Sequence, residues 1–72
     1  MKDVFINKEP VELFKILKFE GIASSGSEAK DMIAAGTVLV NGIIEKQKRK
    51  KMVAGDTIEL NGESFRLKLG AK

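Results

Sequence analysis

Apolar residues recur with a helical period near the start of the chain, in the segment EPVELFKILKFEG at residues 9–21. At about 100° per residue, the core face of this segment carries Leu13, Ile16 and Leu17. Pro10 suits the first helical position, and Gly21 suits the left-handed position just past the last turn. The pattern therefore predicts a first helix, with Phe14 and Phe19 on the flanks of the face opposite the core, where they would border the core.

A second helix is predicted directly after the first, in SSGSEAKDMIAAG at residues 24–36. Ser25 precedes Glu28 at the spacing of a capping box, and Gly36 suits the end of the helix. The inward stripe is expected to contain Ala29, Met32 and Ile33. Because the connection is short, we expect two neighbouring helices that meet at an angle.

Beyond residue 36 the apolar pattern becomes that of strands. The dipeptides Asn41-Gly42 and Asn61-Gly62 are strong signals for tight hairpin turns, and residues 54–56 predict a further turn. Strands are predicted at residues 37–40, 43–45, 57–60 and 64–69, with an additional edge strand at residues 3–6. These elements predict an α+β fold in which two N-terminal helices pack on a small antiparallel β-sheet.

Length and composition favour one small domain. The 72 residues suffice for a single domain with a modest core, so residues 1–72 are interpreted as one unit. The absence of cysteine and histidine excludes disulfides and the usual zinc sites. The N-terminus has no signal-peptide pattern, and no apolar run reaches membrane-spanning length. We therefore expect a soluble, cytoplasmic protein.

Positive charge is concentrated in one segment. The net charge is only +3, from 13 Lys and Arg against 10 Asp and Glu. The run KQKRKK at residues 46–51 contributes +5, so the rest of the chain sums to −2. This run lies between the second and third of the strands that follow the helices and should be exposed. It is either a solvated loop or a binding site for a polyanion.

Catalytic chemistry is poorly represented. The serines cluster at the predicted start of the second helix, where capping explains them. The carboxylates are scattered singly, and no glycine-rich phosphate loop is present. We therefore expect no enzyme activity, no metal site and no cofactor.

Phosphate-binding chemistry is better represented. The start of the second helix exposes backbone N–H groups, and the small residues at 24–27 allow a phosphate to approach closely. Lys30 lies in the first turn of this helix, while Lys15 and Lys18 lie on the outer face of the first helix. A groove lined by these lysines and by residues 46–51 would follow a sugar–phosphate backbone.

An ordered set of motifs spans residues 13–60. It comprises a leucine-containing first helix, the serine-rich start of the second helix with EA at 28–29, VLVNG at 38–42 and VAGDTI at 53–58. In this order the motifs resemble the RNA-binding domain named after ribosomal protein S-four. The chain is most similar to short bacterial proteins that consist of this domain alone, which also carry SG at the second helix and a basic run before VAG.

The resemblance implies binding to structured RNA, commonly ribosomal or transfer RNA, through the two-helix face and the adjoining loop. It assigns contacts to Ser25, Ser27, Lys30, Lys48, Arg49 and Lys51. The helical wheel adds Lys15 and Lys18, and the rest of the basic run adds Lys46 and Lys50. Many family members place an arginine directly after the capping serine. This chain has Gly26 there, so a guanidinium that could fork onto a phosphate is missing.

The predicted function is non-enzymatic binding of structured RNA, with the ribosome or its assembly precursors as the expected setting. We expect a monomer without membrane or small-molecule partners. Duplex or junction RNA is favoured over open single strands, because the chain has four Phe and neither Tyr nor Trp for stacking.

Two alternatives stay open. One is nonspecific binding of DNA or another polyanion. The other is a protein-interaction adapter whose basic loop docks on an acidic partner. An exposed apolar patch, for instance at Phe14, Phe19, Val4 or Phe5, would be the mark of an adapter.

Overall fold

The computed structural model describes residues 1–70, which form two short helices and seven strands. The helices are α1 (Leu13–Phe19) and α2 (Gly26–Ala34). The strands are β1 (Lys2–Ile6), β2 (Val11–Glu12), β3 (Leu39–Val40), β4 (Ile43–Ile44), β5 (Lys51–Met52), β6 (Thr57–Leu60) and β7 (Glu63–Leu69).

The main sheet has the strand order β1-β7-β6-β3-β4, and β2 pairs with β5 in a separate two-stranded ladder. The strand pairs of the main sheet are antiparallel except at one edge, where β1 runs parallel to β7. The chain is thus α+β, with two helices and a mostly antiparallel sheet. The edge strand at residues 3–6 is present, but it precedes both helices and pairs in parallel, so a purely antiparallel sheet was a wrong prediction.

The two predicted hairpin turns are confirmed. Asn41 and Gly42 have φ angles of 52° and 83°, and Asn61 and Gly62 have φ angles of 51° and 78°. Two successive positive φ values are what a tight type I′ turn requires, and Asn-Gly adopts them readily. These turns connect β3 to β4 and β6 to β7, which fixes the register of both hairpins.

The start of the first helix differs from the prediction. The helix begins at Leu13, and Pro10 lies before it instead of at its first position. Val11 and Glu12 are extended because they pair with Met52 and Lys51 across the β2–β5 ladder. This pairing joins residues far apart in sequence and overrides the local helical pattern.

One core holds the helices and the sheet together. It combines side chains of both helices with inward residues of β1, β6 and β7, and its members are almost completely buried. The predicted core face of α1 is confirmed, and Ala29 and Ile33 form the buried stripe of α2 while Met32 is only partly buried. Within residues 1–70, no helix combines the length and apolarity needed to cross a membrane.

Candidate nucleic-acid interface

The basic segment at residues 46–51 is attached to the start of α1 by its backbone. The N–H of Leu13 donates to the carbonyl of Lys50 at 2.9 Å, and the N–H of Phe14 donates to the carbonyl of Lys48 at 3.2 Å. These carbonyls pair two of the N–H groups that the first turn of a helix leaves without a partner. The segment is therefore held by the fold, although the side chains of Lys48, Arg49 and Lys51 are exposed.

Glu12 gathers three of the surrounding cations. Its carboxylate lies 3.2 Å from Lys15 Nζ, 3.4 Å from Arg49 Nη1 and 3.9 Å from Lys51 Nζ. Its side chain is only 14% exposed, whereas those of its partners are 49–67% exposed. Partial burial alone would raise the pKa of Glu12, but the Lys15 hydrogen bond and the three positive charges hold this pKa below its ordinary value. Glu12 thus stays ionised and holds the charged groups of three exposed cations near one another.

Phe14 lies at the centre of this cluster. The Nζ of Lys30 is 4.7 Å from the ring centroid, the Cζ of Arg49 is 5.5 Å away, and the Nζ of Lys15 is 6.0 Å away. These distances suit cation–π contacts, which favour a cation over the face of an aromatic ring. The half-buried ring also packs against the core. Phe14 therefore connects the core to cations from α1, α2 and the basic segment.

The start of α2 forms the predicted capping box in a modified form. The Oγ of Ser25 accepts the N–H of Glu28 at 3.1 Å, as expected. The Glu28 carboxylate, however, accepts the N–H and hydroxyl of Ser24, both at 3.0 Å. The Ser25 hydroxyl accepts the capping bond through its oxygen, so its O–H can still donate, as can the N–H groups of Gly26 and Ser27.

Five of the predicted residues lie around Phe14 and Glu12, and we call them the basic face: Lys15, Lys30, Lys48, Arg49 and Lys51. Four of them contact Phe14 or Glu12 with their charged groups, and Lys48 is placed by its carbonyl bond to Phe14. The other predicted cations are placed differently. Lys18 is exposed one helical turn beyond Phe14, whereas Lys50 is half-buried and acts through its carbonyl. Lys46 lies near the C-terminal end of α2, where its Cε would be 3.4 Å from a Cβ added to Gly36. Within residues 1–70, no cluster of carboxylates is suited to hold a metal ion.

Sequence reasoning missed the roles of two residues on this surface. Glu12 appeared to be an ordinary helix residue, although its spacing to Lys15 was a usable signal for an ion pair. Phe14 was interpreted as the edge of the core, which describes only one side of its ring. Phe19 was expected either at the edge of the core or in an exposed apolar patch, and it is 71% exposed.

The family of the chain follows from its sequence match over nearly the whole fold. Residues 4–68 match the S4 domain. The chain belongs to the S4 domain family. This match includes both helices, the basic segment and the strands from β2 to β6, and it confirms the resemblance stated from the motifs.

Three further likenesses support this assignment. The chain is 46% identical to YbcJ of Escherichia coli (strain K12) over 63 residues, which cover 86% of this chain and 90% of YbcJ. The same figures hold for YbcJ of Shigella flexneri. The solution structure of E. coli YbcJ, described as revealing an αL motif involved in RNA binding, superposes with a TM-score of 0.70 at 44% identity. That likeness covers 93% of this chain and 86% of YbcJ.

A larger protein carries a related fold. The crystal structure of 30S ribosomal protein S4e from Thermoplasma acidophilum gives a TM-score of 0.69 at 31% identity, covering 83% of this chain. This likeness covers only 32% of the ribosomal protein. The fold of this chain is therefore similar to about one third of that longer chain.

Proposed function

We propose that this S4 domain protein is a non-enzymatic RNA-binding protein that recognises structured RNA through the basic face. The observation that carries the proposal is the convergence of cations from α1, α2 and the basic segment around Phe14, beside the start of α2. Ribosomal or transfer RNA is the expected target class, in the cytoplasm and with the protein as a monomer. The description of E. coli YbcJ as having a motif involved in RNA binding supports this choice.

The charge of the basic face favours a polyanion over a single anion. The basic face carries five cations, and three of them approach the carboxylate of Glu12, which leaves a local excess of positive charge. Phosphates spaced along an RNA backbone can pair with several of these cations at once and release their counterions. Contacts to phosphates carry no direct information about the base sequence. Recognition would therefore depend on the shape of the duplex and on the fixed spacing of the cations.

Arg49 offers a replacement for the arginine that many S4 domains have after the capping serine. A Cβ at Gly26 would lie 3.6 Å from Phe14 Cε2, and the guanidinium of Arg49 lies 5.5 Å from the centroid of the same ring. Arg49 and the start of α2 thus flank one aromatic ring. We assign to Arg49 the planar, forked donor set that Gly26 cannot supply.

Salt-dependent binding tests the proposal. The affinity for a blunt hairpin from a ribosomal RNA is measured across salt concentrations beside a DNA duplex of matched sequence. If about five phosphates are neutralised, log K should fall against log salt with a slope near −4, at roughly 0.7–0.9 per contact. Replacing Lys48, Arg49 and Lys51 with alanine should reduce the steepness of that slope by about 2–3.

A charge-matched variant is the control. Replacing Lys2, Arg66 and Lys68 with alanine also removes two lysines and one arginine, but from β1 and β7. This control should keep most of the RNA affinity and the slope. Equal loss in both variants, or equal affinity for DNA, would indicate nonspecific polyanion binding. Absence of RNA binding near 100 mM salt would leave the protein-adapter alternative, for which Phe19, Ile43 and Ile44 are exposed apolar residues.

A further inference from the structure

Phe19 stands between two grooves of opposite charge. The groove on one side, of about 500 Å³, is lined by Lys8, Lys15 and Lys51 together with Asn7 and Glu12. The groove on the other side, of about 580 Å³, has Asp3 and Glu20 as its charged residues. Phe19 lines both, and 71% of its surface is exposed. A ligand that uses the aromatic ring can therefore lie on a basic side or on an acidic side.

The basic groove has the chemistry of a nucleotide site. Three lysines against one carboxylate favour a phosphate, and an exposed phenyl ring offers a stacking face to any base. The amide of Asn7 can donate and accept hydrogen bonds, as the edge of a base requires. Within residues 1–70, the Asn7 side chain has no hydrogen-bond partner.

The basic groove is continuous with the basic face. Lys15 and Lys51 belong to both, and their Nζ atoms approach the same Glu12 carboxylate at 3.2 Å and 3.9 Å. A strand that leaves a duplex on the basic face can therefore enter the groove past Lys15 and Lys51, whose positive charges outnumber the single charge of Glu12. Bases that have left a duplex are also the ones free to stack on protein aromatics.

We infer that the groove between α1 and residues 7–11 binds an unpaired nucleotide of the RNA, with its base stacked on Phe19 and its phosphate near Lys8, Lys15 and Lys51. This inference rests on the proposed function and extends it. The basic face binds the structured part of the RNA, and the Phe19 groove binds a single-stranded nucleotide at its edge. The preferred RNA is thus a duplex with an unpaired extension or bulge.

Binding of two matched RNAs separates the two sites. A blunt hairpin and the same hairpin with a four-nucleotide single-stranded extension are compared, with the extension placed at either end. The wild-type protein should bind one extended form at least about fivefold more tightly, as expected for one stacked base. Phe19→Ala should abolish this preference and leave the affinity for the blunt hairpin unchanged. Phe19→Tyr, which keeps an aromatic ring, should retain the preference.

Fluorescence gives a direct readout of stacking. The chain contains no tryptophan, so Phe19→Trp introduces a single indole at an exposed position where substitution is tolerated. Ile43→Trp is the matched control, because Ile43 is 72% exposed. It lies on β4, at the edge of the main sheet opposite β1. The extended hairpin should quench Phe19→Trp more strongly than the blunt hairpin does, and Ile43→Trp should not distinguish the two.

The outcomes separate failure of this inference from failure of the proposed function. If the blunt hairpin does not bind, the proposed function and this inference are both overturned. If the blunt hairpin binds and an extension at neither end adds affinity or quenching, only the inference is overturned. Equal extension-dependent quenching of the two tryptophan variants would also overturn it. Full quenching of Phe19→Trp by adenosine monophosphate alone would assign the groove to a free nucleotide and overturn the assignment to RNA.

Discussion

Replacing Phe14 with leucine should destabilise the protein by removing the ring that the cations contact. Lys30 and Arg49 approach the ring centroid to 4.7 Å and 5.5 Å, well inside the range of about 6 Å for a cation–π contact. Each such contact contributes about 0.5–1 kcal/mol at an exposed site, so two of them contribute ~1–2 kcal/mol. Leucine keeps most of the apolar packing. At roughly 4–8 °C per kcal/mol for a domain of this size, Tm should fall by several degrees.

A double-mutant cycle isolates the cation–π contribution from the packing change. Lys30→Met keeps a long apolar stem and removes the charge, so urea unfolding of Phe14→Leu, Lys30→Met and the double variant yields the coupling energy. We expect about 0.5–1 kcal/mol. Lys18→Met is the control, since Lys18 is exposed one turn beyond Phe14 and, within residues 1–70, has no contact with its ring. A Lys30 coupling no larger than the Lys18 coupling would refute a specific role for the ring.

Three further predictions, two of them with a control substitution, test the interactions that stabilise the fold and the candidate site. Ser25→Ala should lower the free energy of unfolding by about 1 kcal/mol through loss of the α2 cap, whereas Ser27→Ala should change it by less than about 0.5 kcal/mol in the same urea titration. Asn41→Ala should destabilise by about 1–3 kcal/mol, because it removes a side chain bonded to the start of β6 at a residue with φ of 52°. Asn61→Ala, at a similar φ of 51°, should cost less in thermal unfolding, and equal losses would assign the effect to the backbone alone. The lowered pKa of Glu12 means that its carboxylate stabilises the fold above its ordinary pKa of 4.5, and this contribution is lost as pH falls through the lower folded value. The wild type should therefore lose more stability than Glu12→Gln between pH 7 and pH 3 in urea midpoints, and equal losses would contradict the ion-pair cluster.

The elements that could be predicted from the sequence are those determined locally. The Asn41-Gly42 turn depends on two residues that adopt positive φ, and the start of α2 depends on Ser25 reaching the N–H of Glu28. Both features lie within a few residues and leave a recognisable pattern. The β2–β5 ladder and the parallel β1–β7 pair join distant segments, so no local periodicity indicates them. Val11 and Glu12 consequently fit a helical pattern that the folded chain does not adopt.

The composition of the candidate site was predictable, but its arrangement was not. The charge run at residues 46–51 and the family motifs indicate which cations are candidates for the site. The central positions of Phe14 and Glu12 depend on where the basic segment meets α1. That meeting is made by carbonyl groups of Lys48 and Lys50, and a backbone acceptor has no signature in the sequence. For the same reason, the helical wheel could not tell the buried flank of α1 from the exposed flank that carries Phe19.

The attachment of the basic segment to α1 also affects how the site binds. Lys50 and Lys48 accept the first N–H groups of α1, and Met52, directly after the segment, is completely buried in the core. Moving the segment would leave those N–H groups unpaired and withdraw a core side chain, so its backbone position is coupled to the folding of the domain. A free lysine loop would have to lose backbone entropy on meeting RNA, at about 1–2 kcal/mol per residue fixed. Here that ordering has already taken place during folding. The cationic run is thus part of the fold, and the proposed RNA binding would need to order only the exposed ends of its side chains.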